Sequence, residues 1–131
     1  MGVKRKAGWL LVASTALGAS IFTAPQAVAD PADCTGTTPT ITLSSDARLS
    51  AGISAFCSVS KSRYYRGEIK WDKNFAPDPL TSSYTDHDYK LYDAGHRTCD
   101  NQNTRKYYSR GFFTSGSDYH DSAHRDLTVG C

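Results

Sequence analysis

Residues 53–60 read ISAFCSVS, and this stretch decides the fold class. Its apolar side chains, Ile53, Ala55, Cys57 and Val59, alternate with mainly polar ones. A period of two places successive side chains on opposite faces of a β-strand, whereas one apolar face of a helix needs a period of 3.6. The stretch therefore predicts a strand with one buried face.

Four further stretches have a strand-like composition. Tyr65, Ile69 and Trp71 fall on one face of the first, and Tyr89 and Leu91 alternate with polar residues in the second. Gly, Asn, Asp and Ser separate the stretches at short intervals, as turns between strands require. We predict an all-β fold, a small disulfide-stapled sandwich or barrel. The four stretches are residues 64–71, 88–92, 104–114 and 127–131.

The first 29 residues resemble a secretory signal peptide. Lys4, Arg5 and Lys6 precede an apolar run from Gly8 to Phe22, and a small-residue cleavage pattern follows at residues 27–29. The apolar run is shorter than the roughly 20 residues that span a bilayer. We predict a cleaved leader over residues 1–29, an N-terminal arm over 30–40 and one small β-domain over 41–131. The mature protein is expected to be secreted, extracellular and without stable membrane insertion.

Composition limits the class of protein. The chain has 131 residues and a formal charge of +2, but residues 30–131 carry 12 cations and 13 anions. A protein that binds nucleic acid by counterion release is clearly basic, so no nucleic-acid partner is expected. Val, Ile, Leu and Phe make up only 14 of these 102 residues. We expect some of the eight tyrosines, which all lie in this part with Trp71, to complete a thin core, because aromatic rings bury large areas.

All four cysteines follow the leader, and an even number in an exported chain indicates two disulfides. Three pairings are compatible with the sequence. A weak internal similarity follows Cys57 and Cys99, where Arg63–Gly67 and Arg105–Gly111 are both rich in Tyr and Arg. If that similarity reflects duplication, disulfides 34–57 and 99–131 staple the two halves separately. The cysteines are Cys34, Cys57, Cys99 and Cys131.

Two histidines near the C-terminus have a composition around them that could suit a metal ion. His120 and His124 are four residues apart, with Asp118, Asp121 and Asp126 nearby, and histidine with carboxylates suits zinc. An i, i+4 spacing converges on a helix, however, and this stretch has the composition of loop and strand. We predict solvated loop histidines, with no metal and no cofactor.

The order of Tyr84, residues 87–89, Arg97, Arg105 and residues 119–120 resembles the secreted microbial guanyl-specific ribonucleases. The resemblance implies that Asp88 is the base, Arg97 or Arg105 the phosphate clamp, and His120 the acid. The family's catalytic Glu is replaced by Asp88, and the helix expected before the sheet is missing. The resemblance nevertheless supports an alternative hypothesis, a small secreted hydrolase that is ribonuclease-like and uses His and Asp.

The leading hypothesis is a secreted bacterial protein-interaction module without enzymatic activity. It would act as an adaptor subunit of a secreted complex or toxin, or as an enzyme inhibitor. Tyr and Arg are favoured at binding surfaces, and two prolines stiffen the segment Asn74–Ser83. The expected partner is another secreted or cell-surface protein. The predicted interaction residues are Tyr64, Tyr65, Phe75, Leu80, Tyr107 and Tyr108.

Overall fold

The computed structural model describes residues 30–116 and 118–131, and these residues form strands, turns and loops but no helix. The predicted leader, residues 1–29, lies outside the described residues. The part that the structure describes contains no helix of the length and apolarity needed to cross a membrane. The strands are β1 Cys34–Gly36, β2 Thr40–Leu43, β3 Leu49–Cys57, β4 Arg63–Trp71, β5 Leu80–Asp88, β6 Leu91–Thr98, β7 Thr104–Phe113, β8 His120–Asp121 and β9 Arg125–Thr128.

The strands form two antiparallel sheets. In the first sheet, β3 is central: β6 pairs with one edge, and β1 and β2 pair with the two halves of the other edge. In the second sheet, the order is β5, β4, β7, and both β8 and β9 pair with the far edge of β7. The connection between β5 and β6 crosses from one sheet to the other. This arrangement confirms the predicted all-β fold.

The interior is built from the alternating residues of both sheets. Ile53, Ala55 and Cys57 are buried as predicted, and they pack with Tyr65 and Phe113 of the second sheet. A second cluster lies towards the other end of the sandwich, and Cys131 packs against it. Each cluster therefore contains or adjoins one disulfide. The second cluster consists of Ile41, Leu49, Ala51, Ile69, Tyr107 and Val129.

The disulfides join Cys34 to Cys57 and Cys99 to Cys131, and no described cysteine is free. The first links β1 to the end of β3, where Cys34 and Cys57 are also direct pairing partners. The second ties the end of the chain to the segment that follows β6. Of the three pairings compatible with the sequence, the structure has the one that closes the two shortest loops.

Three details of the predicted pattern are corrected. Val59 was expected on the buried face, but β3 ends at Cys57 and Val59 is exposed. Tyr89 and Leu91 were expected to face inwards, yet Tyr92 is the buried residue. The turn between β5 and β6 interrupts the alternation there, which reverses the faces. The arm of residues 30–40 is not loop throughout, because β1 lies within it and pairs with β3.

Two glycines face each other in the middle of the second sheet, and both are required for packing. Gly67 on β4 pairs with Gly111 on β7. A Cβ atom at Gly67 would lie 2.7 Å from both Cε atoms of the Tyr84 ring, and one at Gly111 would lie 2.8 Å from the Tyr65 hydroxyl oxygen. Both distances are shorter than van der Waals contact permits. The missing side chains therefore make room for two tyrosine rings inside the sandwich.

Replacing Gly67 with Ala should lower the free energy of unfolding by about 1–3 kcal/mol, the usual cost of overpacking a core. Gly95→Ala is the matched control, since its Cβ would have as its nearest neighbour the Ala51 carbonyl oxygen at 3.7 Å, an ordinary contact. Urea denaturation of both variants measures the difference. Equal stabilities for Gly67→Ala and Gly95→Ala would contradict the packing role of Gly67.

Reduction of both disulfides should unfold the domain at 37 °C. Each disulfide contributes about 2–4 kcal/mol, against a total of about 5–15 kcal/mol for a typical domain. Circular dichroism melts with and without reductant measure the effect, with loss of the disulfides verified by mass. An unchanged melting curve after complete reduction would refute the role given to the two bridges.

Candidate interaction surface

The four residues that the ribonuclease resemblance implies as a catalytic site do not lie close together in the structure. Asp88 pairs with the first residue of β4, whereas Arg105 lies on β7 beyond the last residue of β4. Nine strand residues extend about 26 Å, so these side chains lie at opposite ends of the sheet. Arg97 belongs to the other sheet, and His120 is hydrogen-bonded to Asp30. The structure therefore does not assemble the site that the resemblance implies.

The two C-terminal histidines have separate partners. The His120 Nε2 atom lies 2.8 Å from an oxygen of Asp30. The His124 Nδ1 atom lies 2.8 Å from an oxygen of Asp72, and its ring stacks on Tyr108 at a centroid distance of 4.3 Å. The two imidazoles therefore do not converge on one metal ion, although their residues are only four positions apart.

Half of the predicted interaction residues are exposed and half are buried. Tyr65 and Tyr107 face the interior of the sandwich. Tyr108 points to the outer face of the second sheet, but His124 covers its ring and its hydroxyl donates a hydrogen bond to Asp78. These three tyrosines are corrected to structural roles, because a buried ring offers no contact surface. The exposed residues are Tyr64, Phe75 and Leu80.

Phe75 is presented at the tip of the loop between β4 and β5. Its side chain is fully exposed, and its φ of 60° lies in the left-handed region that non-glycine residues rarely adopt. Asp78 fixes the base of this loop, accepting hydrogen bonds from the Lys73 amide at 3.1 Å and the Tyr108 hydroxyl at 2.9 Å. These two bonds hold the pKa of Asp78 below its usual value. The loop therefore has an anchored base and an apolar tip.

The opposite end of the sandwich carries a larger group of exposed apolar side chains. Here β3 ends, β4 begins and the chain turns from β5 into β6. Phe56 and Leu91 are direct partners on the outer face of the first sheet. Every member of the group is about half exposed or more. We refer to this group as the apolar end; it consists of Phe56, Val59, Tyr64, Tyr89 and Leu91.

An ion pair holds the loop beneath the apolar end. The Arg63 Nη2 atom lies 2.9 and 3.0 Å from the two carboxylate oxygens of Asp33, and Nη1 donates to the Val59 carbonyl. The Arg63 side chain is only 8% exposed, so the carboxylate of Asp33 is needed to compensate its buried charge. Asp33 also accepts from the amide of Val59. Val59 is therefore fixed from both its amide and its carbonyl.

Hydrogen bonds also fix the turn between β5 and β6. The Cys57 amide donates to the Lys90 carbonyl at 2.8 Å, and the Lys61 amide donates to the Tyr89 carbonyl at 3.1 Å. The buried Tyr92 hydroxyl donates to the Asp88 carbonyl at 2.8 Å. The Tyr64 ring stacks on His87 at a centroid distance of 4.3 Å. A partner would meet these side chains already positioned, which lowers the entropy cost of binding.

The surroundings of the apolar end are polar. Lys61 and Lys90 are exposed beside it. A groove of about 470 Å³ runs along Phe56 and Leu91, with Ser54 and Asp93 in its wall. Apolar groups rimmed by polar ones are typical of interaction sites.

Sequence reasoning found Tyr64 but missed the rest of the apolar end. Phe56 occupies a solvent-facing position of the ISAFCSVS alternation, where serine fills the other such positions. A large apolar residue at a solvent-facing position of a strand could have indicated an exposed contact residue. Tyr89 and Leu91 were missed because their alternation was assigned to the wrong face.

Comparison of the chain with protein-family models, with curated proteins and with solved structures found no match.

Asp33→Asn should destabilise the fold by about 1–3 kcal/mol, because it leaves the buried Arg63 guanidinium without its counter-charge. Asp46→Asn is the matched control. Asp46 pairs with Arg48 at 3.2 Å, but both side chains are half exposed, so its loss should leave the melting temperature unchanged. Thermal melts of both variants test this contrast. A larger effect from Asp46→Asn would overturn the assignment.

Proposed function

We propose that this protein is a secreted, non-enzymatic interaction module that binds a partner protein through its apolar end. The observation that carries the proposal is a group of five exposed apolar or aromatic side chains at one end of a small domain. Three of them lie at strand ends, and two lie on loops that hydrogen bonds and an ion pair fix. Exposing such side chains costs solubility, and binding offsets that cost by removing them from water.

The partner expected here has an apolar patch with a rim that carries charges of both signs, because Asp93 lies in the groove wall and two lysines lie at the border. Phe56 and Leu91 supply the central contact, because they are neighbours across one strand pair and flank the groove. Lys61 and Lys90 are exposed at the border and favour negative charge opposite them. Two disulfides are consistent with export, and an adaptor or an inhibitor would both use such a surface.

The Phe75 loop supports a second candidate, an inhibitor that inserts one residue into a partner's pocket. Its support is the fully exposed ring on a backbone in the left-handed region. Strained conformations persist where the surrounding structure holds them, and they are concentrated at functional sites. Because this loop lies at the other end of β4 from Tyr64, the two candidates can be separated by substitution.

Purification of the protein from its producer's culture fluid should give a stoichiometric complex with one secreted protein, identified by size-exclusion chromatography and mass spectrometry. The double variant Phe56→Ser/Leu91→Ser should weaken that complex at least tenfold, since central apolar anchors each contribute on the order of 1–2 kcal/mol. Phe75→Ser is the control and should retain affinity. Circular dichroism verifies that both variants fold.

Three results would contradict the proposal. Loss of the complex in Phe75→Ser, with retention in the double variant, would favour the inhibitor loop. Concentration-dependent dimers of the purified protein that the double variant abolishes would assign the apolar end to self-association. RNA cleavage that is lost in Asp88→Ala and His120→Ala would establish the ribonuclease-like alternative.

A further inference from the structure

Asp30, the first residue that the structure describes, contacts the short strand β8. The side chains of Asp30, Asp118 and His120 each place one potential ligand atom within 4.8 Å of the others. The His120 Nε2 atom is 2.8 Å from Asp30 Oδ2, although the two residues are 90 positions apart in the sequence. Asp30 Oδ2 also accepts the amide of Gly36 at 2.9 Å, which fixes the orientation of the carboxylate.

Two buried polar atoms at this cluster have no hydrogen-bond partner in the described part of the chain. One is Asp30 Oδ1 and the other is the hydroxyl of Tyr65, a residue that is fully buried. A Cβ atom at Gly36 would lie 2.6 Å from His120 Nε2 and 2.7 Å from the Tyr65 hydroxyl oxygen. These two atoms are therefore no more than about 5.3 Å apart. The Tyr65 hydroxyl is aimed into the cluster.

A buried polar atom without a hydrogen-bond partner is destabilising, because it has lost its contact with water and gained none in return. A tyrosine hydroxyl carries its proton at neutral pH, so Tyr65 can act as a hydrogen-bond donor here. A bound ion with its own water would supply an acceptor for Tyr65 and a positive charge for the unpaired oxygen of Asp30.

We infer that Asp30, Asp118 and His120 bind a zinc ion, and that the Tyr65 hydroxyl hydrogen-bonds to the water in the fourth position. Imidazole nitrogen with carboxylate oxygens is a donor set that zinc accepts, with bonds of about 2.0–2.2 Å. Such bonds place two ligand atoms about 3.4 Å apart in a tetrahedral site. The 2.8 Å between His120 and Asp30 therefore has to widen slightly, and Asp118, which is exposed, moves in to close the site.

Zinc is preferred over the hard cations. Calcium takes six to eight oxygen ligands, and magnesium requires a near-octahedral oxygen shell. Three protein atoms, one of them nitrogen, do not meet either requirement. Because zinc competes with protons for the imidazole and the carboxylates, binding should weaken at acidic pH. Bound zinc would link the N-terminal segment to the paired strands β7 and β8.

Untagged protein expressed from the full chain and stripped with a chelator should bind one zinc ion in isothermal titration calorimetry at pH 7.5. Its melting temperature should rise by several degrees in zinc and not in calcium. Asp118→Asn should lower the zinc affinity at least tenfold. Because Asp118 is exposed, this substitution should leave the melting temperature of the metal-free protein unchanged. His120→Ala should abolish binding, whereas His124→Ala is the matched control and should retain it.

Tyr65→Phe separates a metal-linked role from a purely structural one. Removal of an unpaired hydroxyl should leave the melting temperature of the metal-free protein unchanged or higher, while the zinc affinity falls several-fold. A lower melting temperature of the metal-free variant would show that the hydroxyl has a structural partner and would remove this support. Absence of saturable zinc binding, or binding that survives Asp118→Asn and His120→Ala, would overturn the site.

Discussion

The paired glycines of the second sheet make room for the tyrosine rings on which the core depends. Gly67 and Gly111 leave a gap at the centre of the sheet, and the rings of Tyr84 and Tyr65 fill it. Aliphatic residues are too few here to fill an ordinary sandwich core, so tyrosine rings supply the buried area. A ring needs more room than one side-chain position provides, and the missing Cβ atoms provide that room. The close packing of these two rings against β4 and β7 depends on this fit.

The division of the core into two clusters follows from the same shortage of apolar residues. Cys34–Cys57 belongs to the first cluster, and Cys131 packs against the second, so each small core has a covalent link beside it. A disulfide acts mainly by restricting the unfolded chain, which offsets a small buried area. The same bridges hold the segments that carry the candidate sites: Cys57 precedes the Val59 loop, and Cys34 follows Asp30 closely.

The sequence predicted the fold well and the surface less well, for a physical reason. A period of two identified the strands, and Ile53 and Ala55 were assigned to the correct face. Periodicity fails where the chain turns, so Leu91 was assigned to the wrong face. The same period placed Tyr65 on one face with Ile69, and Tyr65 is buried while Tyr64 is exposed. Tyr65 was nevertheless predicted as an interaction residue, because its residue type is common at binding surfaces. The contact between Asp30 and His120 spans 90 residues, and no local pattern reports it.

The distribution of charge favours apolar atoms over ion pairs as the main contacts of the proposed interaction. Many charged side chains are already paired within the domain. A partner that recruited these groups would have to break existing contacts, and the net gain from exchanging one ion pair for another in water is small. Phe56 and Leu91 carry no such cost, since burying each Å² of apolar surface contributes roughly 25 cal/mol. Charge near the apolar end would then govern orientation and rate of association. The internal pairs are Arg63–Asp33, Arg66–Glu68, Arg105–Asp100 and Arg110–Asp121.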